Sequence, residues 1–188
     1  GSHVVSMRVV DGTGHELDLS PTDATTKDMF WATVGGMGLT GVIVEATFRL
    51  LAIETSSMSV DTVRCHDLDD VMARMIEGDD DYRYSVAWID SVAPSGRGVL
   101  TRGHHARREQ LTRKQVDAPL AYATPALPSA PAFIPNGLLN SASVRAFNEA
   151  WFRKHPKSRS NEIHSIPGFF HPLDGVRDWN RVYGPQGF

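Results

Sequence analysis

A glycine cluster within residues 35–41 is the stretch whose residue types and spacing suggest chemistry most directly. Gly36, Gly38 and Gly41 are spaced as G-x-G-x-x-G, the pattern with which dinucleotide-binding folds bring backbone N–H groups against a pyrophosphate. Such a site needs a strand before the glycines and a helix after them, because the N-terminus of that helix binds the anion. The order here is reversed, since residues 28–32 have a helical pattern and residues 41–51 that of an apolar strand. We therefore expect a helix-to-strand turn beside a flat or bulky group, and an NAD site is disfavoured.

The histidines, the cysteine and the acidic runs offer little for catalysis. No two histidines have the H-x-x-x-H spacing of a helical metal site, and His104 and His105 would point to opposite faces of a strand. No G-x-S-x-G motif surrounds a serine, and Cys65 has no nucleophile signature. The acidic runs 67–70 and 79–81 are typical of a helix cap and a turn. We therefore predict neither a metal site nor a hydrolytic centre.

Aromatic and charged side chains in the second half of the chain are the remaining candidates. Trp88 shares one face of a predicted strand with Tyr84, whereas Asp174, Trp179 and Arg181 lie in an aromatic-rich segment without periodicity. Loop-borne groups of this kind often bind ligands. The pattern alone favours a simpler interpretation, in which the aromatics pack over a sheet and Arg181 pairs with a neighbouring aspartate, Asp174 or Asp178.

Two units with a boundary near residue 53 are expected to position these groups. In residues 1–53, strands over 7–10 and 16–19 flank a turn cluster and predict a β-hairpin, followed by the helix and strand that surround the glycines. Thr22 or Asp23 is the expected N-cap of that helix.

Residues 54–188 show a strand–helix–strand–strand pattern that predicts an α+β domain on an antiparallel sheet. Asp67 is the expected cap of a helix over 68–77, whose apolar stripe is expected to be core: Leu68, Val71, Met72, Met75 and Ile76. Apart from a short helix over 144–153, mobile loops are expected over about 124–160, where prolines exclude a long element, and over 171–188.

Composition excludes several broad classes of function. The chain has 188 residues, a net charge of −3 and 41% hydrophobic residues, which is ordinary for a globular protein. The sequence has no basic stripe with interleaved aromatic residues, so its composition gives no indication of nucleic-acid binding. The sequence contains neither an apolar run long enough to span a bilayer nor a secretory signal.

The stretch 28–50, DMFWATVGGMGLTGVIVEATFRL, resembles the end of the flavin-binding domain in vanillyl-alcohol-oxidase-type FAD enzymes. In that family a D-L-F-W-A-hydrophobic-x-G-G-G-G-x-x-G-V-V pattern brings the backbone alongside the flavin. The likeness extends back to residue 7. Later segments are similar to the members that oxidise a polyprenyl-phosphate pentose, so the resemblance runs nearly end to end: 84–90, 133–137, 170–174 and 179–188.

The resemblance implies a fold, a cofactor and partners. It identifies residues 1–53 as the end of an FAD-binding domain and residues 54–188 as an incomplete substrate domain. It implies FAD-dependent oxidation of the 2′-hydroxyl of a polyprenyl-phosphate ribose, with an NADH-dependent keto-reductase completing an epimerisation for cell-wall arabinan synthesis in actinobacteria. Location on the outer side of the cell membrane and peripheral membrane association are implied in the same way.

The resemblance assigns site residues only at the positions of this sequence that match the family's motifs. The backbone beside the flavin would be supplied by Gly36, Gly38, Thr40, Gly41 and Val42. Trp88 would form an apolar wall of the sugar pocket. The loops over the lipid-phosphate substrate would carry Phe170, Asp174, Trp179 and Arg181, with Arg181 the candidate for the phosphate.

Two departures from the family pattern limit these expectations. Phe170 replaces a tyrosine, so a hydroxyl contact is lost there. The chain also lacks the family's pyrophosphate loop with its flavin-adjacent histidine, and the later glutamines, lysine and cysteine of the pocket. No catalytic residue is therefore assigned, and we expect an internal fragment that binds FAD weakly or not at all. The alternative is a non-catalytic binding or assembly module derived from the substrate domain.

Overall fold

The computed structural model describes residues 2–122, 129–130, 137–172 and 177–183, with the side chain of Trp179 excepted. Contacts between residues divide the chain into two units, Gly1–Ala52 and Ile53–Phe188. Both contain helices on antiparallel sheets, which confirms the predicted mixture of helix and antiparallel strand. No helix in the described ranges is long and apolar enough to cross a membrane.

The first unit is a three-stranded sheet with one helix. Its elements are β1 (Val4–Val10), β2 (Glu16–Leu19), α1 (Lys27–Thr33) and β3 (Val42–Phe48), with strand order β2-β1-β3. The predicted hairpin is confirmed, and its turn is held by the Asp11 carboxylate, which accepts N–H bonds from Thr13 at 2.8 Å and His15 at 3.0 Å. The core is formed by Met7, Val9, Leu19 and Phe30.

The cap predicted for α1 is wrong. The helix begins at Lys27 after Thr26, and no side chain caps it. Asp23 accepts an N–H bond from Thr25 at 2.8 Å and so organises a turn before the helix. Short polar side chains favour such local turns as strongly as helix caps, and the turn prevails here.

Strand β3 carries a bulge that breaks its simple alternation. Arg8 pairs with Glu45 but Val9 pairs with Ile43, so Val44 is the extra residue. The bulge brings Ile43, and not Val44, opposite buried Val9. The apolar side chains of β3 are largely exposed, with Val42 at 68%.

The second unit is a four-stranded antiparallel sheet with order β5-β6-β4-β7. Its strands are β4 (Ser57–Cys65), β5 (Tyr84–Ile89), β6 (Gly98–His105) and β7 (Ser158–Ser165). Its helices are α2 (Leu68–Gly78), α3 (Arg113–Val116), α4 (Ser141–Lys154) and α5 (Ile166–Phe170).

The region predicted as loops over 124–160 is more regular than expected. Helix α4 confirms the helix predicted over 144–153 and extends it by three residues at its start and one at its end, whereas β7 begins at Ser158, where a loop was predicted. Strand β7 has a mostly polar sequence, is exposed over its first four residues and half-buried over residues 162–164, and it pairs along β4 as an edge strand. Edge strands need little apolar alternation because backbone hydrogen bonds on one side hold them.

The sheet of the second unit has a core on each face. One core comprises Met58, Val60 and Phe169 of α5, and the other comprises Cys65, Leu100 and Val71 of α2.

Helix α2 is capped as predicted, because the Asp67 carboxylate accepts the N–H of Asp70 at 2.8 Å. The prediction that its apolar stripe is core is confirmed for Val71, which is buried, and for Met75, which packs against that core, but not for the other three residues. Leu68, Met72 and Ile76 are 45%, 51% and 81% exposed, since the helix contacts the sheet only along the line of Val71 and Met75.

Candidate functional site

The glycine segment between α1 and β3 is shaped first by the fold itself. A Cβ at Gly36 would collide with the carbonyl oxygen of Ala32, and one at Gly41 would collide with that of Val10. Gly41 also has φ of +140°, a conformation that side chains rarely adopt. These two glycines are therefore explained by backbone packing within the first unit, and their contact with a cofactor stays a prediction.

Gly38 differs from those two glycines because it faces open space. Its φ is +79°, and a Cβ built on it would meet nothing within 4 Å. The adjacent side chains of Met37 and Leu39 are 95% and 91% exposed. A bare backbone between two exposed apolar side chains is a surface that a flat ring could approach closely.

The other two predicted cofactor residues have contrasting environments. The Thr40 hydroxyl donates to Thr33 Oγ1 at 3.0 Å, which in turn donates to the Met29 carbonyl at 2.7 Å. This chain of bonds ties the glycine segment back to α1. Val42 opens β3 and is 68% exposed. The segment thus has an anchored end, an open backbone and an apolar exposed side chain, which fit contact with the apolar part of a flat ring such as that of a flavin.

In the second unit, Trp88 lines a small, partly open pocket. Trp88 of β5 shares its sheet face with Tyr84 and Val86, as its spacing predicted. A cavity of about 60 Å³ lies next to it. Its lining includes Trp88, Val99, Thr101, Trp151, His155 and His164. The lining comes from β5, β6, β7, α5 and α4 with His155 directly after it, so the pocket forms only when these elements assemble.

Helix α4 is tied to the end of β5 by a buried aspartate. Asp90 is 2% exposed and accepts a bond from Asn148 Nδ2 at 2.6 Å. Two N–H bonds of the Arg97 guanidinium reach its other oxygen at 3.1 Å each, and Arg97 also pairs with Glu149 at 2.7 Å. Burial alone would raise the pKa of Asp90, but the bonds from Asn148, Arg97 and two backbone amides together hold that pKa below its usual value. The carboxylate is therefore charged at neutral pH and fixes α4 over the sheet.

The two adjacent histidines of β6 point to opposite faces, which confirms that prediction. His104 stacks on Tyr82 with ring centroids 5.6 Å apart. His105 lies on the other face, where its Nε2 is 3.3 Å from the Tyr84 hydroxyl. Burial lowers the pKa of His105, and the nearby Arg83 charge lowers it further. The described residues contain no cluster of three or more metal-ligating side chains.

The remaining predicted substrate residues are only partly gathered. Phe170 of α5 packs edge-on against Tyr84 with centroids 5.0 Å apart, on the same sheet face as Trp88. Arg181 donates to the Ala130 carbonyl at 3.3 Å and lies 3.6 Å from Asp178. Its pairing with a neighbouring aspartate is thus observed, and a phosphate role stays a prediction. Asp174 and the side chain of Trp179 lie outside the described residues.

Sequence reasoning missed the polar groups around Trp88. Trp151, His155 and His164 line the cavity, and Asp90 positions α4, which carries Trp151 and is followed directly by His155. The helix over 144–153 was predicted, but nothing in its local pattern indicates which strand it covers. The only available signal was the presence of Asp90 two residues after Trp88.

Comparison with known proteins shows the same resemblance along the whole chain. No family model matches. The chain is 38% identical over 192 residues to decaprenylphosphoryl-β-D-ribose oxidase of Mycolicibacterium smegmatis, a match that covers 100% of this chain and 41% of that protein. It is 33% identical over 190 residues to an uncharacterised protein encoded in the mprA 5′ region of Streptomyces coelicolor, covering 95% of this chain and 50% of that protein. The chain therefore spans half or less of the length of these relatives. The resemblance predicted from the residues is confirmed in sequence: this chain is similar, end to end, to part of a decaprenylphosphoryl-β-D-ribose oxidase.

Proposed function

We propose that this chain forms part of an FAD-dependent oxidoreductase that oxidises the 2′-hydroxyl of decaprenylphosphoryl-β-D-ribose to the 2′-keto compound. The observation that carries the proposal is the 38% identity over the whole chain to an oxidase of that name. The same proposal assigns the end of an FAD-binding domain to the first unit and the substrate domain to the second.

In this proposal the first unit offers the cofactor a backbone surface. Bound FAD would supply the hydride acceptor. Gly38 would let the ring approach the main chain, because it carries no Cβ and its side of the backbone is open. Gly36 and Gly41 would keep the turn tight, and the Thr40–Thr33 bond would hold it against α1. Val42 would add apolar contact.

The second unit would hold the sugar. Trp88 would provide an apolar wall against which a pentose ring packs, and Phe170 would extend the aromatic surface on the same face. Arg181 would bind the phosphate, at the cost of its weak pairing with Asp178, which is partly exposed and easily exchanged. The work of these residues is to position the sugar and to exclude water from it.

Further parts of the proposal depend on the resemblance alone. A separate NADH-dependent keto-reductase would reduce the keto product and so complete the epimerisation that supplies the arabinan precursor. A lipid-linked substrate would place the protein at a membrane surface, on the outer side of the cell membrane. We propose these partners for the oxidase of which this chain would form a part.

A chimaera tests the function directly. Residues 1–188 would replace the matching 41% of the Mycolicibacterium smegmatis oxidase, with the parent oxidase as the control. We expect the purified chimaera to retain flavin and to convert decaprenylphosphoryl-β-D-ribose to its 2′-keto product. A chimaera that retains flavin but does not oxidise the substrate would favour the non-catalytic binding module.

A second experiment concerns the chain by itself. We expect the purified 188-residue chain, incubated with FAD and then desalted, to show no visible flavin absorbance. A yellow, stoichiometrically loaded sample would show that these residues suffice for cofactor binding, against our expectation.

A further inference from the structure

Arg83 is an exposed cation that lies immediately before β5. Within the part of the chain that the structure describes, its side chain donates no hydrogen bond and makes no ion pair. Arg74 and Arg97 of the same unit, by contrast, have carboxylate oxygens at 2.6 Å and 2.7 Å. The charge and the N–H donors of the Arg83 guanidinium are therefore available to a ligand.

The ring of Tyr84 holds this guanidinium against the sheet. Cζ of Arg83 lies over the ring, 5.9 Å from its centroid. A guanidinium that stacks on an aromatic ring keeps the N–H groups along its edge free for an anion. Tyr84 is itself fixed, since its hydroxyl lies 3.3 Å from His105 Nε2 and Phe170 packs edge-on against its ring. Arg83 is thus partly preorganised, which lowers the entropic cost of binding.

Arg83 lies at one end of the sheet face proposed for the sugar. Tyr84 and Trp88 point to the same side of the sheet, and Phe170 packs on Tyr84 with ring centroids 5.0 Å apart. A strand rises about 3.3 Å per residue, so Trp88 lies about 13 Å along β5 from Tyr84. A pentose held between Trp88 and Phe170 would therefore lie next to the ring that carries the guanidinium, and a phosphate attached to that pentose could reach it.

The charges around Arg83 suit a phosphodiester anion. Burial and the Arg83 charge lower the pKa of His105, so its ring is neutral at pH 7 and adds no second cation. In the acidic turn 79–81, Asp79 accepts a bond from Ser85 at 3.1 Å and lies 3.8 Å from Arg102, and no carboxylate of this turn pairs with Arg83. One uncompensated positive charge thus matches the single negative charge of a phosphodiester.

We propose that Arg83 binds the phosphate of the lipid-linked ribose, with its guanidinium stacked on Tyr84 and its N–H groups donating to the phosphate oxygens while the sugar packs on Trp88 and Phe170. Arg83 is then a substrate-binding residue for the charged part of the molecule, in addition to Arg181. This inference rests on the proposed function.

Arg108 offers a matched control for both experiments below. It is also exposed, and its side chain likewise has no ion pair or hydrogen bond within the described residues. Its neighbour Gln110 donates to the Ser59 hydroxyl at 3.2 Å. Ser59 pairs with His104 and so lies on the sheet face opposite Tyr84, which places this segment away from the proposed phosphate.

Side-chain NMR tests the contact in the 188-residue chain without turnover. β-D-Ribofuranosyl 1-phosphate, which carries the sugar and a phosphate but no lipid, would be titrated against protein with ¹⁵N-labelled arginine, and methyl β-D-ribofuranoside is the phosphate-free comparison. We expect the Nε–H signal of Arg83, assigned by its loss in Arg83→Lys, to shift with the phosphate compound alone. The signal of Arg108 should stay constant. An unmoved Arg83 signal, or equal shifts of the two signals, would overturn the inference.

Kinetics of the chimaera separate this inference from the proposed function. Arg83→Gln removes the charge, so KM for the lipid-linked ribose should rise about tenfold or more, with kcat and flavin content unchanged. Arg83→Lys keeps the charge but loses the stacked, forked donor, so its KM should rise less. Arg108→Gln should leave KM unchanged. An unaltered KM in Arg83→Gln would reject the phosphate contact while the function stands. Absence of oxidation in the unsubstituted chimaera would reject the function itself.

Discussion

Replacing Asp90 with alanine should destabilise the second unit far more than replacing an exposed acid. The Asp90 side chain is 3% exposed and is paired with Arg97, whose side chain is 22% exposed. Its removal would eliminate bonds from Asn148, Arg97 and the amides of Val92 and Ala93. Breaking one partner of a buried ionic pair typically costs about 3–5 kcal/mol, because the other partner is left uncompensated. Arg97 keeps Glu149 as a partner, so we expect the lower half of that range.

Urea titration at pH 7, followed by tryptophan fluorescence, measures this loss, because Trp88 and Trp151 both lie close to the affected contacts. Glu109→Ala is the matched control in the same unit. Glu109 is 74% exposed and lies 3.8 Å from Arg107, and such surface pairs contribute about 0–1 kcal/mol. A loss below about 1 kcal/mol in Asp90→Ala would refute the argument that this carboxylate holds α4 on the sheet.

The same comparison has a defined pH dependence. The folded-state pKa of Asp90 lies below its unfolded value, so its stabilisation is present above about pH 3.9 and is lost as pH falls through the folded pKa. The difference in unfolding free energy between wild type and Asp90→Ala should therefore shrink in strong acid. A difference that grows on acidification would contradict the charged, hydrogen-bonded carboxylate.

Four further substitutions test other parts of the account. Gly41→Ala should destabilise the first unit by more than about 2 kcal/mol in urea titration, because the Cβ collides with Val10. Gly38→Ala should lower the free energy of unfolding by only about 1–2 kcal/mol, because of its left-handed φ, yet it should reduce the flavin content of the chimaera. Gly12→Ala is the neutral control, since its Cβ meets nothing within 4 Å. An unchanged flavin content in Gly38→Ala would show that Gly38 is not part of the cofactor surface. Trp88→Ala in the chimaera should abolish sugar oxidation with flavin retained, and loss of flavin would instead mark Trp88 as a packing residue. Burial lowers the folded-state pKa of His164 below 6.5. The unfolding free energy of the wild type should therefore fall as the pH drops below about 6.5, and it should fall less steeply in His164→Gln. Equal slopes of unfolding free energy against pH in the two proteins would contradict a buried neutral ring.

Local chemistry made part of the fold predictable. The turn residues after β1 and the Asp67 cap bond to backbone groups only a few residues away in sequence, so their effects can be predicted from the local sequence. The order of the elements around the glycines, with the helix before them and the strand after them, likewise distinguished this segment from a dinucleotide-binding loop. These inferences depend on neighbours along the chain and are insensitive to the tertiary arrangement.

Features that depend on distant partners were mispredicted or missed. The start of strand β7 at Ser158 lies in a stretch predicted as a loop, because an edge strand draws its hydrogen bonds from β4 and needs no apolar pattern. Leu68, Met72 and Ile76 match a helical stripe, but which part of a stripe meets the sheet depends on how the helix docks. The Asp90–Asn148 bond joins residues 58 positions apart, and no periodicity encodes such a pair. The cavity with Trp151 and His155 follows from that same long-range contact.

The most direct test of the proposed oxidase is anaerobic addition of decaprenylphosphoryl-β-D-ribose to the flavin-loaded chimaera, with the visible flavin band recorded. We predict that the band bleaches and that keto product forms in equal amount. A band that stays unchanged, while the parent oxidase bleaches under the same conditions, would contradict the assignment of this chain to the oxidation of the lipid-linked ribose.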